Sequence, residues 1–521
     1  MSSVSDSHTT QKHLRYGNMY RPGEIYWGLG IECETYIELK GGIEVSPNFV
    51  RSNRKRERYS VDYWTIYKSD TINTLLEEWI ADKSDTKLTF PLLLNAHSLC
   101  KTDRFVEPAT TYSKLPRPNP AFCGSSLLQD LSGVEPDVFG TDGGSNIWWT
   151  FDGDTIEFMT QDFYCAKMED VVNELIMHKK KWLHAFQSGL KKIPSKDPLF
   201  EKTPAFPTKN YGLAVYLTNR NNIGIFNNGT YHFNLTLPTY LDKDGHIADK
   251  TEFKKRHQRL ARLFQWFTPF LIARYGSGDV FGSISPYGAN KFPIGSQRLC
   301  ASRFVSAGTY DTETMEPGKI LTVPYCRVEG RWYEQIYDKP ECTYKILPMI
   351  GMDINYNKHW NHGLEFRIFD WFPEEDIPDL FRCLIWMCDE SLAVDSIQNP
   401  QLNDVWNSVL SKIIWSGKSV IISTTEAHVF STIFRIPVHE IAERQAIDVY
   451  DSVWNYWGKR WNFTKDTCTS TMIRAPLEIS RFNSIPPSTQ TTVPPVPPTA
   501  PIVTQQVRNG FLQILRSCFR C

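Results

Sequence analysis

The stretch YWGLGIECETYIEL, Tyr26 to Leu39, alternates between apolar and polar positions in a way that only an extended strand can use. Successive strand side chains point to opposite faces, so Trp27, Leu29, Ile31, Cys33, Thr35, Ile37 and Leu39 share one face and Gly28, Gly30, Glu32, Glu34, Tyr36 and Glu38 the other. The first face is built for a core. The second opens on two glycines, which admit a close approach to the backbone, and continues with neighbouring carboxylates about 7 Å apart along the strand. Such a face is either the solvated side of an antiparallel sheet or a surface turned toward a cation. Glu32 and Glu34 alone leave both readings open.

Three later segments repeat the design. In DGDTIEFM the Asp-Gly-Asp turn leads into a strand with Ile156 and Phe158 on one face and Thr155 and Glu157 on the other. TYHFNLTLP sets Tyr231, Phe233, Leu235 and Leu237 against His232, Asn234 and Thr236, and GLEFRIFDW sets Leu364, Phe366 and Ile368 against Glu365 and Arg367. If the polar sides face one cavity, Glu32, Glu34, Glu157, His232, Asn234, Glu365 and Arg367 meet there. Carboxylates with a single histidine and no cysteine form a hard-cation set, suited to Mg²⁺ or Mn²⁺. Two such ions can bind the phosphates of ATP, and an arginine among them can neutralise a transferring phosphoryl group. The turn-rich segment from Asn290 to Arg331 adds Arg298, Arg303, Arg327 and Arg331, each either a surface residue or part of a phosphate clamp.

Between these strands run helical stripes. Met168, Val171, Val172, Leu175, Trp182, Leu183 and Phe186 make one, Phe253, Leu260, Ala261, Phe264, Phe267 and Leu271 a second, and Leu380, Leu384, Met387 and Leu392 a third. Strands of period two interrupted by long helices predict an α+β fold, with helices on one face of a mainly antiparallel sheet and the other face free for chemistry. Residues 1–22 read as a disordered tail, 23–478 as one catalytic domain, and 479–507 as a Pro/Thr-rich linker that cannot build a core. Residues 508–521 read as a short amphipathic segment that could dock on a partner or a membrane surface.

The chain's formal charge of −1 supplies no general attraction to nucleic acid, and the basic run Arg51 to Tyr59 reads as a solvated loop. No secretory leader and no spanning apolar run is seen, so an intracellular location is expected. The twelve cysteines are scattered without paired metal spacing, the lone C-x-x-C from Cys518 to Cys521 has no βαβ context, and His359 with His362 lack a third zinc ligand. WSGKSVII is not a P-loop, because Lys412 stands where that pattern requires glycine.

In their order, GIECE, DGDTIEF, NNGTYHFNLTLP and LEFRIFDW resemble the signature of the carboxylate–amine ligase superfamily, which contains glutamine synthetase, glutamate–cysteine ligase and the amidoligases. The likeness is nearest to the amidoligases of large DNA viruses and covers roughly Glu24 to Glu390. It implies a curved antiparallel sheet whose concave face holds metal, ATP and substrate. It further implies that Glu32, Glu34, Glu157, Glu365 and His232 bind metal and that Arg367, Glu365 and His232 are catalytic. The family's phosphate arginines have no residue-by-residue match between positions 290 and 331, so the expected nucleotide site of Glu32 and Asn234 with Arg298 and Arg303 takes its arginines from the reading of that segment. The implied reaction is ATP-dependent amide formation through an acyl phosphate, from a small-molecule or peptide carboxylate and an amine, in the host cytoplasm or in a virion if the chain is viral. The sequence departs from many amidoligases at Asn234, where they carry a second histidine, and the region after position 396 has no placed counterpart. A non-catalytic scaffold on the same fold and a guanidino-kinase-like phosphotransferase are the alternatives.

Overall fold

The computed structural model describes residues 25–45, 88–100, 125–140, 148–152, 155–161, 166–194, 202–208, 230–240, 247–278, 293–296, 298–299, 309–319, 353–356 and 363–461. The chain divides into two compact units, Met1–Ile479 and Ser480–Cys521, and every described residue belongs to the first. The expected tail 1–22, the linker 479–507 and the segment 508–521 lie outside the described residues, as do the basic run 51–59, His359, His362, Arg303, Arg327 and Arg331.

The strands up to Phe366 are β1 (Ile25–Thr35), β2 (Ile37–Val45), β3 (Leu88–Leu94), β4 (Trp149–Asp152), β5 (Thr155–Met159), β6 (Pro204–Ala205), β7 (Thr230–Tyr240), β8 (Thr309–Asp311), β9 (Glu316–Lys319), β10 (Ile354–Tyr356) and β11 (Leu364–Phe366), and a short pair, Ile421–Ile422 with Arg444–Gln445, follows among the later helices. Six of them form one sheet in the order β10-β11-β7-β1-β5-β4, antiparallel at every step. Strands β4 and β5 pair antiparallel, with Asp152 opposite Thr155. Two expectations need correction. The run Tyr26 to Leu39 is not one strand: it breaks at Tyr36, and its second half enters a separate three-stranded sheet, β3-β2-β6. Tyr36 and Glu38 therefore do not continue the face of Glu32 and Glu34. The strand expected from Gly363 to Trp371 is also shorter, pairing only over Leu364–Phe366 before the chain turns away.

Helices α1 (Met168–Lys192), α2 (Lys250–Tyr275) and α3 (Ile377–Leu392) cover the apolar face of the large sheet, one for each stripe read from the sequence. Trp182 of α1 meets Phe158 of β5 edge-on, with ring centroids 6.0 Å apart. Phe264 of α2 stacks on Phe366 at 3.7 Å, and Phe381 of α3 lies 5.4 Å from Phe233. An amphipathic helix needs one such face; α2 has no solvated one along much of its length, since residues 263–273 are all buried. Its far side is covered by α4 (Asp404–Ser416), α5 (Thr424–Phe434) and α6 (Ala446–Arg460). Trp266 meets Phe430, and Phe267 meets Phe434 and Trp457. The region after 396 thus forms a second helical layer that seals α2.

This layer also solves a backbone problem. Pro269 sits inside α2 without an N–H for the carbonyl of Gln265. The indole Nε1 of Trp406 donates to that carbonyl at 2.7 Å. Asp249 caps the start of the same helix, accepting from the N–H groups of Thr251 and Glu252 at 3.0 and 2.9 Å. The cysteines of this core are inert: Cys33, Cys100, Cys383 and Cys388 are unbridged, and burial pushes the Cys33 thiol up to about 11. Among the described residues no helix is long and apolar enough to cross a membrane.

Trp406→Phe leaves the Gln265 carbonyl buried without its donor and is expected to lower stability by about 1–3 kcal/mol, seen as a lower urea midpoint at an unchanged slope. In a Pro269→Ala background, where the restored N–H can take the carbonyl, the loss should shrink. Equal losses in the two backgrounds would show that the indole does not serve this carbonyl.

Candidate functional site

The strand register decides which polar residues meet, because residues directly opposite each other in an antiparallel pair share a face. Glu34 of β1 stands opposite Glu157 of β5, which in turn faces Thr150 of β4. Glu32 stands opposite His232 of β7. Asn234, two residues along, lies between Gly30 of β1 and Glu365 of β11, and Asn355 of β10 flanks Glu365 on its other side. All six strands of the sheet thus contribute to one polar patch. The patch is not solvated: Glu34 is 1% exposed, and Glu365 and His232 are 0% exposed. Burial overturns the reading of a wet acidic strand, since an ionised carboxylate leaves water only against compensating charge.

His232 is the hub. Its Nδ1 lies 3.2 Å from Glu365 Oε1, 3.4 Å from Glu34 Oε1 and 3.6 Å from Glu32 Oε2, yet none of these contacts has hydrogen-bond geometry. One ligand atom each from Glu32, His232 and Glu365 fall within 4.8 Å of one another, a grouping compact enough for a metal ion. Asn234 Nδ2 donates to Glu32 Oε1 at 3.1 Å, and Asn355 Nδ2 to Glu365 Oε2 at 3.1 Å. Arg367 Nη1 donates to the other Glu365 oxygen at 2.8 Å, so this arginine reaches the patch from just beyond the end of β11. Burial works against the Arg367 charge, but Glu365, Glu34, Asp152 and Glu32 outweigh it and hold its pKa above the ordinary arginine value.

Arg298 comes from outside the sheet and is 1% exposed, which removes the surface reading for this residue. Its Nη2 donates to His232 Nε2 at 3.2 Å. A guanidinium only donates, so this contact requires a bare Nε2 and leaves the imidazole proton on Nδ1. If Nδ1 ligates a cation instead, the proton moves to Nε2 and Arg298 must turn elsewhere. Burial and the neighbouring Arg367 charge lower the Arg298 pKa to about 10, against the pull of Glu34, Asp370 and Glu365. Arg303, expected beside it, lies outside the described residues.

Glu32, Glu34, Glu157 and Glu365, all buried, against buried Arg298 and partly buried Arg367 leave a formal charge of −2 on this cluster when His232 is neutral. Glu34 Oε2 is buried without a hydrogen-bond partner. A concentrated negative charge, a carboxylate oxygen without a donor and an all-oxygen set with one imidazole fit a hard divalent cation. Gly28 has a different role from the one expected. At Gly28 a Cβ would stand 3.0 Å from the hydroxyl of Thr236 on β7, so the close approach there is made by the protein itself. Gly363 is tighter still, with the Leu235 carbonyl 2.5 Å from where a Cβ would be, and it lets the chain enter β11 beside β7.

Two participants were not read from the sequence. Asn355 lies in DINYN, whose short alternation is the only local sign of a strand. Asp370 follows the Glu365-x-Arg367 strand and acts on backbone rather than on the patch, accepting from the Arg298 N–H at 2.8 Å and from the Ser277 N–H at 3.3 Å. Its burial pushes its carboxyl up to about 6, opposed by those hydrogen bonds, one from Ser296 and the Arg298 charge.

The charge excess has a measurable sign. In the presence of a chelator, Glu34→Gln removes one of the crowded charges, and its melting temperature should equal or exceed that of the wild type. Saturating Mn²⁺ should raise the wild-type melting temperature, by about 2.7 kcal/mol of stabilisation at a hundred times Kd, and raise that of the variant by less. A melting temperature indifferent to Mg²⁺ and Mn²⁺ in both proteins would remove the cation from the site.

No family model matches the chain. The chain is 40% identical over 425 residues to a protein of Acanthamoeba polyphaga mimivirus named "Uncharacterized protein R704", an alignment that spans 80% of this chain and 72% of that protein. At that identity and coverage, the chain belongs to the same family as this mimivirus protein.

Proposed function

We propose that the chain is an ATP-dependent carboxylate–amine ligase, with the glutamine synthetase-like fold and a concave active-site face on the polar side of the six-stranded sheet. One observation carries the reading: a buried patch of four carboxylates, one imidazole and two guanidiniums, assembled from neighbouring antiparallel strands and one adjoining turn. The residues that carry the resemblance to the ligase superfamily are the ones that supply this patch.

In this reading Glu32, Glu34, Glu157 and Glu365 hold divalent cations, Mg²⁺ or Mn²⁺, joined by His232 Nδ1 when Arg298 has left Nε2. Bound there, the cations would neutralise the phosphate oxygens of ATP. Arg367, kept charged by Glu365, grips the transferring phosphoryl group, and Arg298 supplies a second guanidinium. Asn234 keeps Glu32 oriented, as Asn355 does Glu365. A substrate carboxylate oxygen attacks the γ-phosphorus, the bond to the β-phosphate oxygen breaks, and ADP leaves. The amine nitrogen then attacks the acyl carbon, phosphate departs with the bonding electron pair, and the nitrogen loses a proton to leave an amide. Burial of the patch favours this chemistry by keeping water from the acyl phosphate. The mimivirus relative fits an intracellular setting, either host cytoplasm or virion.

Incubation with Mg²⁺, ATP and pooled amino acids, polyamines and short peptides should release ADP and phosphate together, with a product one water lighter than two pool members. Glu32→Gln and Arg367→Ala should each lower turnover by at least about a hundredfold while the melting curve stays cooperative. Wild-type turnover in both variants would sink the assignment. ADP without free phosphate, with a stable phosphorylated product, would make the chain a phosphotransferase. A folded protein that binds neither nucleotide nor metal would make it a scaffold.

A further inference from the structure

We propose that Asp370 is a positioning residue of this site, whose buried carboxylate ties the turn that carries Arg298 to the end of β11 and so aims the guanidinium at His232. Three donors converge on one carboxylate. Oδ1 accepts from the backbone N–H of Arg298 at 2.8 Å, Oδ2 accepts from the N–H of Ser277 at 3.3 Å, and the side chain of Ser296 adds a third hydrogen bond. Ser296 Oγ in turn accepts from the N–H of Leu299 at 3.1 Å, which closes the turn around Arg298. Asp370 is 5% exposed, so solvent does not compete for these donors.

The placement gives the carboxylate its meaning. Glu365, Arg367 and Asp370 lie on one short stretch of chain: the first two enter the patch directly, and the third recruits a residue more than sixty positions earlier. Arg298 has no strand to hold it in register. Its approach is set from two sides. The N–H groups of Ile294 and Gly295 donate to the carbonyls of Trp415 and Ile414 at the end of α4, at 3.1 and 3.0 Å, and Asp370 holds the next turn. The backbone anchor is separate from the side chain's own partner, so the guanidinium can exchange His232 for another acceptor while its root stays fixed. What that acceptor is rests on the ligase reading, in which it is a phosphate; the anchoring itself does not.

The test uses the full chain and the variants Asp370→Ala, Asp370→Asn, Arg298→Ala and the double Asp370→Ala/Arg298→Ala. Amide exchange should rise at least about tenfold at Arg298 in Asp370→Ala while the amides of β1 and β7 keep their protection. Binding of Mg·ATP, measured by calorimetry, should weaken by about tenfold in Arg298→Ala and by a similar factor in Asp370→Ala, with no further loss in the double variant. Asp370→Asn, which keeps a carbonyl acceptor for one of the two N–H groups, should recover part of the affinity. It also takes over the comparison if Asp370→Ala does not fold. Wild-type exchange at Arg298 in Asp370→Ala, or losses that multiply in the double variant, would overturn the proposal. If the wild type binds no Mg·ATP the ligase reading falls, and the same cycle is then read on melting temperature without ligand. There the shift caused by Arg298→Ala should shrink in the Asp370→Ala background, and an equal shift in both backgrounds would overturn the positioning role.

Discussion

Four carboxylates buried side by side on one sheet face repel one another, and the rest of the structure is arranged around containing that repulsion. Glu34 opposite Glu157 would be an unfavourable cross-strand pair in any dry sheet without positive charge nearby. The chain supplies Arg367 from the end of β11 and Arg298 from a turn, and it orients Glu32 and Glu365 with amides from Asn234 and Asn355. These contacts hold oxygens in place but leave the cluster negative. A sheet that tolerates such a face must draw its stability from the opposite one.

That opposite face is aromatic and densely packed. Phenylalanines and tryptophans from β5, β7 and β11 meet those of α1, α2 and α3, and α2 is then buried again beneath α4 to α6. A second layer has a consequence for the site. It brings the carbonyl end of α4 to the segment at Ile294 and Gly295, which carries Arg298. The helical layer after position 396 is therefore tied mechanically to the segment that brings Arg298 to the polar patch. The same layer fills the carbonyl left open by Pro269, so a proline that would ordinarily kink a helix is accommodated in the most buried part of the fold.

How far the site was legible follows from how each residue is held. Glu32, Glu34, Glu157, His232, Asn234 and Glu365 sit on strands, where a period of two assigns a face to each side chain from the sequence alone. Arg367 was placed on that face by the same phase, although the strand had ended and the contact is made from the chain beyond it. The break at Tyr36 was not legible, because the alternation runs through it unchanged while the chain passes from one sheet to another. Nor was Asp370: an aspartate among aromatic residues carries no local sign that two distant backbone N–H groups and a serine side chain will find it.

By itself the sequence determined that the chain has amphipathic strands with one chemical face, and three helices to cover the other, because periodicity is a local property of covalent geometry. Tertiary structure alone decided that the acidic face is dry, that β1 and β7 pair Glu32 with His232 and not with a neighbour, and that Arg298 arrives at the imidazole. Burial, register and the approach of a turn depend on contacts between residues far apart along the chain, and no pattern of neighbours encodes them.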